Sequence, residues 1–214
     1  MSKHNLDTTK RKGSLQESEV KEVLDFIRKY AVPTVVVIVL CCGTFLFFSW
    51  MRSSKAAREV KADSALMNAM DATDYQRIID EYESTASAPI AMMNLAMTRF
   101  SDGAYDAAQE LYTQFLQRYG NHEMALQAEL NVITCREAKG ELSEAHLLYG
   151  EFADKHRDSY LAPLAIMGQA RCLEGMESMD EARRAYEDLI VAYPGSSWAE
   201  IANTRMTVIS KKLK

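Results

Sequence analysis

The residues best suited to nucleophilic, acid–base or metal chemistry are four histidines and four cysteines, and their spacing matches no catalytic or metal-binding motif. They are His4, His122, His146, His156, Cys41, Cys42, Cys135 and Cys172. The sequence contains no HExxH, GxSxG, P-loop or GxGxxG pattern and no Cys-x-x-Cys pair. We therefore predict that the protein is not an enzyme and that it uses no metal, no cofactor and no small-molecule substrate.

The cysteines are better explained as structural residues. Cys41 and Cys42 lie inside a long apolar run, whereas Cys135 and Cys172 are equivalent positions of the repeat described below. Equivalent positions of stacked repeats usually lie further apart than the roughly 7 Å between Cα atoms that a disulfide allows. We expect Cys135 and Cys172 to be small core residues.

An uncharged segment of membrane-spanning length occupies residues 31–50, AVPTVVVIVLCCGTFLFFSW. A helix of this length covers about 30 Å, the thickness of the hydrocarbon core of a bilayer. Tyr30 and Trp50 stand at its ends, where aromatic rings suit the headgroup level. The alternative is a cleavable secretory signal, whose apolar core is usually about 7–15 residues long and follows a short basic leader. The thirty-residue leader here contains five acidic residues, so an uncleaved anchor in the lipid bilayer is favoured.

Charge gives the orientation and excludes one class of partner. Five Lys/Arg lie in the twenty residues before the span and four in the twenty residues after it. This small excess favours a cytoplasmic N-terminus and a C-terminal domain outside the cytoplasm. Residues 53–214 carry seventeen Lys/Arg and twenty-five Asp/Glu, and such an acidic domain is not expected to bind nucleic acid.

Composition divides the rest of the chain into four segments. Residues 1–18 are polar and are predicted to form a disordered cytoplasmic tail. Residues 19–30 form an amphipathic juxtamembrane segment, and residues 51–72 form a charged helix that leaves the membrane. Residues 73–214 are long enough to fold as one domain with its own core.

This domain repeats itself every 37 residues. Aromatic or large apolar residues recur at Tyr75, Tyr112, Tyr149 and Tyr186, at Ile78, Phe115, Phe152 and Leu189, and at Tyr82, Tyr119, His156 and Tyr193. Alanines recur at Ala88, Ala125, Ala162 and Ala199, at Ala91, Ala128, Ala165 and Ala202, and at Ala108, Ala145 and Ala182. His156 falls in a tyrosine column, which predicts a half-buried structural residue.

Each repeat is predicted to be a pair of helices. Ala108, Tyr112, Phe115 and Tyr119 follow spacings of four, three and four, which place them on one face of a helix. Glycine-containing turns precede such helices, and strand patterns are nearly absent. One helix pair cannot bury its apolar face alone, so the pairs must stack. The predicted fold class is all-α: one N-terminal transmembrane helix followed by a helical-repeat solenoid.

The repeat resembles the tetratricopeptide repeat. In that motif a small residue in the first helix is followed twelve positions later by Ala, then by an aromatic residue and a helix-ending Pro. Ala170, Ala182, Tyr186 and Pro194 follow this order. The motif usually has about 34 residues, so each unit here has three more, which fall around the turn and the start of the next unit.

The order of segments narrows the resemblance. An amphipathic stretch, a single span, a charged exit helix and a short repeat domain resemble the ancillary SecYEG translocon subunits of the YfgM-like family. The segment Ala88–Ala96 resembles the first complete repeat of that family. The resemblance implies a bacterial inner-membrane protein whose repeats face the periplasm and meet the SecYEG translocon and a periplasmic chaperone, PpiD. The alternative is a scaffold of another envelope complex, such as cell division, Tol-Pal or outer-membrane assembly.

The tetratricopeptide resemblance also implies a binding surface, because the first helix of each unit lines the concave face of such arrays. The inward positions predicted from this register are Ile90, Met93, Asn94, Met97, Phe100, Gln127, Leu130, Asn131, Thr134, Leu164, Met167 and Arg171. Flexible, polarizable methionine suits varied apolar partners, so these residues are candidates for a groove that binds a protein or peptide. The simpler interpretation is that the methionines pack between helices. Since Arg171 is the one charged residue of the set, the surface lacks the basic cluster with which Hsp70- and Hsp90-binding repeats clamp a carboxylate.

Overall fold

The computed structural model describes residues 4–212, and these form nine helices and no strand. The helices are α1 (His4–Asn68), α2 (Ala72–Glu81), α3 (Ser87–Ser101), α4 (Tyr105–Tyr119), α5 (Ala125–Ala138), α6 (Leu142–Lys155), α7 (Ala162–Gly175), α8 (Met179–Ala192) and α9 (Ser197–Lys212). The all-α prediction is confirmed. The chain divides between Ala57 and Arg58 into two compact units, which we describe separately.

The N-terminal unit is helical and carries the apolar run. Of the described helices, α1 alone has the length and composition to cross a membrane, and the same features would also fit a signal sequence. Apolar side chains are exposed along the run, with 62% of Leu40 and 73% of Phe45 accessible. Among the described residues of this unit, no other element covers these side chains.

Two of the predicted segments fall within one helix. Residues 4–18 and 51–68 both belong to α1, which runs without a break from His4 to Asn68. Residues 1–3 of the predicted tail lie outside the described residues, and the division of the chain into segments stays a prediction. A new helix begins after Asp71, whose carboxylate accepts hydrogen bonds from the backbone N–H groups of Thr73 (2.8 Å) and Asp74 (2.9 Å).

The second unit begins with the last turns of α1, which pack against the first repeat. Ala62 is fully buried there. The carboxylate of Glu59 accepts a hydrogen bond from the backbone N–H of Ala86 at 3.1 Å, just before α3. The hydroxyl of Ser87 donates to the carboxylate of Asp63 at 2.5 Å. These bonds satisfy donors at the start of α3 that have no partner within their own helix.

Stacked helix pairs make up the rest of this unit. Three pairs repeat the same arrangement, α3 with α4, α5 with α6 and α7 with α8, and α9 follows as a further first helix. The alanines at Ala91, Ala128, Ala165 and Ala202 are all 0% exposed, and so are those at Ala108, Ala145 and Ala182. Their small side chains let neighbouring helices approach closely.

Tyrosine hydroxyls link successive repeats. Tyr193 donates to the backbone carbonyl of Arg157 at 3.1 Å, and Tyr119 makes the equivalent bond to Glu83 at 3.5 Å. His156 occupies the same column between them, and its side chain is 22% exposed, which agrees with the half-buried position predicted for it. Cys135 and Cys172 are both fully buried free thiols, as predicted.

The last helix, α9, replaces a buried apolar face with hydroxyls. Met167, Ala170 and Leu173 of α7 share a core cluster with residues of α8. The positions 37 residues later are Thr204, Thr207 and Ser210. Each hydroxyl donates to the backbone carbonyl four residues earlier, at 3.0, 3.0 and 2.8 Å. The three side chains are exposed, so this face of α9 can remain in water.

Candidate protein-binding groove

A cavity of about 330 Å³ opens between α3, α4 and α5. We call it the first-helix groove. Apolar side chains form one part of its wall: Met93, Met97, Phe100, Tyr112 and Met124. Polar side chains form the other part: Ser101, Gln127, Asn131 and Thr134. An apolar pocket with a few fixed polar groups is the usual composition of a binding site.

The groove contains six of the twelve residues predicted from the sequence, namely Met93, Met97, Phe100, Gln127, Asn131 and Thr134. Met97 is the most accessible of its methionines, with 54% of the side chain exposed. Met93 is 1% exposed, so it forms the base of the groove and is held by core packing. Met97 therefore fits the interpretation of the methionines as groove residues, and Met93 fits the interpretation that they pack between helices.

Two predicted groove residues belong to the core. Leu130 is 4% exposed and Met167 is 6% exposed. Both lie in the same repeat column as Met93, and each packs in a cluster with the second helix of its own repeat. At these two positions the column packs against the partner helix, whereas Met93 of the same column forms the base of the groove.

The remaining predicted residues lie outside this cavity. Ile90 is 37% exposed at the start of α3, while Asn94 and Leu164 are half-buried. Arg171 belongs to a polar cluster on α5, α6 and α7 that is described below. The structure does not gather these four residues with the six of the groove.

Sequence reasoning missed three residues of the groove, Ser101, Tyr112 and Met124. Tyr112 is 2% exposed and belongs to a core cluster as well as to the wall of the groove. Burial, with a smaller contribution from the nearby thiol of Cys135, raises the pKa of Tyr112 to about 12, while a hydrogen bond with Asn131 opposes that rise. The phenol is therefore neutral at physiological pH.

Hydrogen bonds within α5 fix the polar wall of the groove. The side-chain amide of Gln127 donates to the side-chain oxygen of Asn131 at 2.9 Å. The hydroxyl of Thr134 donates to the backbone carbonyl of Leu130 at 3.0 Å. These bonds fix the orientation of groups that would otherwise rotate, so a ligand would meet a preformed polar edge.

A cluster with no net charge adjoins Thr134. The Glu137 carboxylate accepts two hydrogen bonds from the Arg171 guanidinium, both at 2.8 Å. The Tyr149 hydroxyl lies 2.7 Å from the same carboxylate and 3.1 Å from the hydroxyl of Thr134. The bond to Glu137 raises the pKa of Arg171 above its usual range, and burial followed by the Glu137 charge raises the pKa of Tyr149.

This cluster depends on a close approach between α6 and α7. A Cβ atom added to Gly168 would lie 2.5 Å from the ring of Tyr149, closer than side-chain carbons can approach. Glycine at this position therefore lets the tyrosine reach Glu137. Because the Arg171 guanidinium is already bound to Glu137, it is not free to bind a carboxylate of a partner.

The side chains that line the groove are mainly apolar, amide and hydroxyl groups, which are suited to binding. Within the part of the chain that the structure describes, no three His, Cys, Asp or Glu side chains gather as metal ligands. Burial raises the pKa of the Cys135 thiol to about 11, and the adjacent Lys139 charge only partly offsets this. A thiol with so high a pKa is a poor nucleophile near neutral pH.

Comparison with solved structures agrees with this fold. A kinesin light chain with nearly identical TPR-like repeats from Podosopora anserina is 13% identical, with a TM-score of 0.53 over 76% of this chain and 86% of its own. PcrH from Pseudomonas aeruginosa is 15% identical, with a TM-score of 0.49 over 58% of this chain and 93% of its own. The Yersinia enterocolitica type III secretion chaperone SycD, solved with a peptide of the translocator YopD, is 18% identical, with a TM-score of 0.46 over 57% of this chain and 92% of its own.

No curated protein matches the chain. The profile of the tetratricopeptide repeat-like domain family matches residues 25–213, which include most of the long first helix and every stacked pair. This match covers most of the chain, and the chain belongs to the tetratricopeptide repeat-like domain family.

Proposed function

We propose that this protein is a membrane-anchored adaptor that binds other proteins through the first-helix groove. The observation that carries the proposal is Met97, which is 54% exposed at a cavity whose other apolar side chains are buried or half-buried. An apolar side chain that the fold leaves uncovered is free to pack against a partner. The polar edge at Gln127 and Asn131 would orient that partner.

The anchor is the apolar part of α1. Its side chains are exposed along residues 33–50, which favours lipid as their surroundings. We place the N-terminus in the cytoplasm and the repeats in the periplasm of a bacterial cell, on the charge bias and on the resemblance to the ancillary translocon subunits. Protease added to intact spheroplasts should digest the repeats in this orientation, whereas the opposite orientation would protect them.

The finer assignment is an adaptor at the Sec translocon that brings periplasmic chaperones to emerging chains. It rests on the order of amphipathic segment, span, exit helix and short repeat domain, which resembles the YfgM-like family.

Copurification tests this assignment. The full-length protein would be extracted gently from native membranes beside a control that lacks residues 72–214. The proposal predicts recovery of translocon subunits and a periplasmic chaperone with the full-length chain and their loss with the control. Recovery of cell-division, Tol-Pal or outer-membrane assembly proteins instead would contradict the translocon assignment and favour a scaffold in another envelope complex.

A further inference from the structure

A second and larger cavity, of about 860 Å³, lies over α7 between the second helices α6 and α8. We call it the second-helix furrow. Its apolar floor includes Ile166 and Leu173 of α7. Small residues of the flanking helices line its sides: Gly150 and Ala153 from α6, and Ala185 and Ala192 from α8. It shares no lining residue with the first-helix groove, so it would be a separate site.

Repeat symmetry shows that this opening is particular to the third repeat. Thirty-seven residues earlier, Ala153 and Ala185 are replaced by Leu116 and Leu148, which are half-buried and pack on the core clusters. At the positions equivalent to Ala192 and Ile166, Lys155 forms an ion pair with Glu129 at 2.9 Å. The space between α6 and α8 is therefore open. The equivalent space between α4 and α6 is filled by larger side chains and a salt bridge.

The furrow also has a distinct charge. Its end near the C-termini of α6 and α8 carries Asp154, Asp158 and Asp188 against Arg157. Arg157 is paired with Asp154 at 2.8 Å, whereas Asp158 and Asp188 take part in none of the ion pairs of the described residues. At the other end of the furrow, Glu181 and Arg184 carry opposite charges that cancel. The furrow is thus acidic at one end and apolar along its floor.

We propose that the second-helix furrow binds a basic amphipathic helix of about three turns from a partner protein. The side from Glu181 to Ala192 lies wholly within α8 and covers twelve residues, a rise of about 17 Å along the helix. Glycine and alanine on the facing sides allow a third helix to approach to the roughly 8–10 Å typical of packed helices. Lys or Arg at one end of that helix would meet Asp158 and Asp188, which favours a basic partner over an acidic one.

The test uses two synthetic helices of about fourteen residues with leucines on one face and either lysines or glutamates on the other. Binding would be measured by fluorescence anisotropy to the full-length protein in phosphatidylcholine nanodiscs, with empty nanodiscs as the blank. We expect the lysine helix to bind and the glutamate helix to bind at least about tenfold more weakly. Hydrogen exchange should slow in residues 146–158 and 181–193 when the lysine helix is bound.

Two variants separate the furrow from general acidity. Ala153→Leu with Ala185→Leu restores the leucines of the neighbouring repeat, and should weaken binding roughly tenfold or more without lowering the melting temperature. Asp158→Asn with Asp188→Asn changes exposed side chains that the fold does not need, and should weaken binding severalfold and flatten its dependence on salt. Met97→Glu, in the other groove, should leave this affinity unchanged, so that failure of this proposal and failure of the adaptor groove are distinguishable.

The proposal is overturned if the lysine helix does not bind at about 1 mM, or if both helices bind equally. It is also overturned if the leucine variant keeps the original affinity, or if the slowed hydrogen exchange falls outside α6 and α8.

Discussion

Glu137 and Arg171, on the first helices of adjacent repeats, form an ion pair with two hydrogen bonds of 2.8 Å each. Glu137 is mostly buried, with 18% of its side chain exposed, while Arg171 is 42% exposed. The pair therefore joins α5 to α7 and cancels the charge of the single basic residue predicted for the binding face. A partner of the repeat domain would meet a neutral surface at this point.

Replacing Arg171 should cost more stability than an ordinary surface change. Arg171→Ala leaves the Glu137 carboxylate half-satisfied in a largely buried position, and we expect a loss of about 1–2 kcal/mol in the free energy of unfolding. Arg183→Ala is the matched control, because Arg183 pairs with Asp180 at 3.9 Å on the exposed surface and should cost about 0–0.5 kcal/mol. Urea unfolding of the full-length protein measures both values. Equal losses for the two variants would contradict a structural role for the pair.

The backbone conformation of Glu177 lowers the stability of the third repeat. It has a φ of 60° at the position where the first and second repeats have Gly103 and Gly140, with φ of 78° and 82°. A left-handed conformation costs a residue with a side chain about 1 kcal/mol or more. Glu177→Gly should therefore raise the free energy of unfolding by about 0.5–1 kcal/mol after the greater freedom of glycine in the unfolded chain is allowed for.

The reverse change provides the control. Gly140→Ala should lower the free energy of unfolding by about 1 kcal/mol, although its added methyl group would meet nothing within 4 Å. If Glu177→Gly were destabilising, or Gly140→Ala neutral, the conformation assigned to these turns would be wrong.

Alkaline pH should unfold the repeat domain through its buried thiols. Burial raises the pKa of Cys135 from 9.0 to about 11 and, with the Glu137 charge, raises that of Cys172 from 9.0 to about 12. Both folded-state values exceed the unfolded ones, so the stability they contribute is complete below pH 9 and is lost as pH rises from 9 towards 12. The expected loss is about 1.4 kcal/mol per pH unit for each thiol that ionises only in the unfolded chain.

Urea unfolding at a series of pH values from 7.5 to about 10.5 measures this effect. The double variant Cys135→Ala, Cys172→Ala should show a much shallower decline, even though its stability at neutral pH is lower because small cavities form. A decline of the same slope in the variant would assign the effect to tyrosines such as Tyr112, whose pKa is also raised, and would contradict the role of the thiols.

The repeat was predictable because the same packing contacts constrain the residue types in every unit. Ala91 and its equivalents must be small in each repeat, so one chain displays the rule four times. The continuity of α1 was not predictable in this way. The residues change from apolar to charged near Arg52, but this change does not interrupt the backbone of the helix. The left-handed Glu177 also escaped prediction, because its residue type conceals a turn that glycine marks in the other repeats.

The groove was only partly predictable. The helix register identified Met97 and Phe100, but it could not separate Met93, at the base, from Leu130 and Met167, which their own second helices cover. Tyr112 was not predicted as a groove residue because its column indicates a core position, yet it also lines the cavity. The second-helix furrow was invisible to a pattern search because it arises from residues that depart from the repeat, such as Ala153 and Ala185.

The most direct test of the adaptor groove is the amount of protein partner recovered with Met97→Glu. The matched control is Leu147→Glu on α6, which is 59% exposed against 54% for Met97 and lines neither cavity. Each full-length variant would be extracted from native membranes, and its partners quantified by isotope-labelled mass spectrometry against the unmodified protein. Since a partner would have to bury the new charge, we predict that Met97→Glu loses at least about nine-tenths of its partner, whereas Leu147→Glu keeps it. Equal recovery with both variants, at unchanged helical content, would contradict the assignment of the first-helix groove as the binding site.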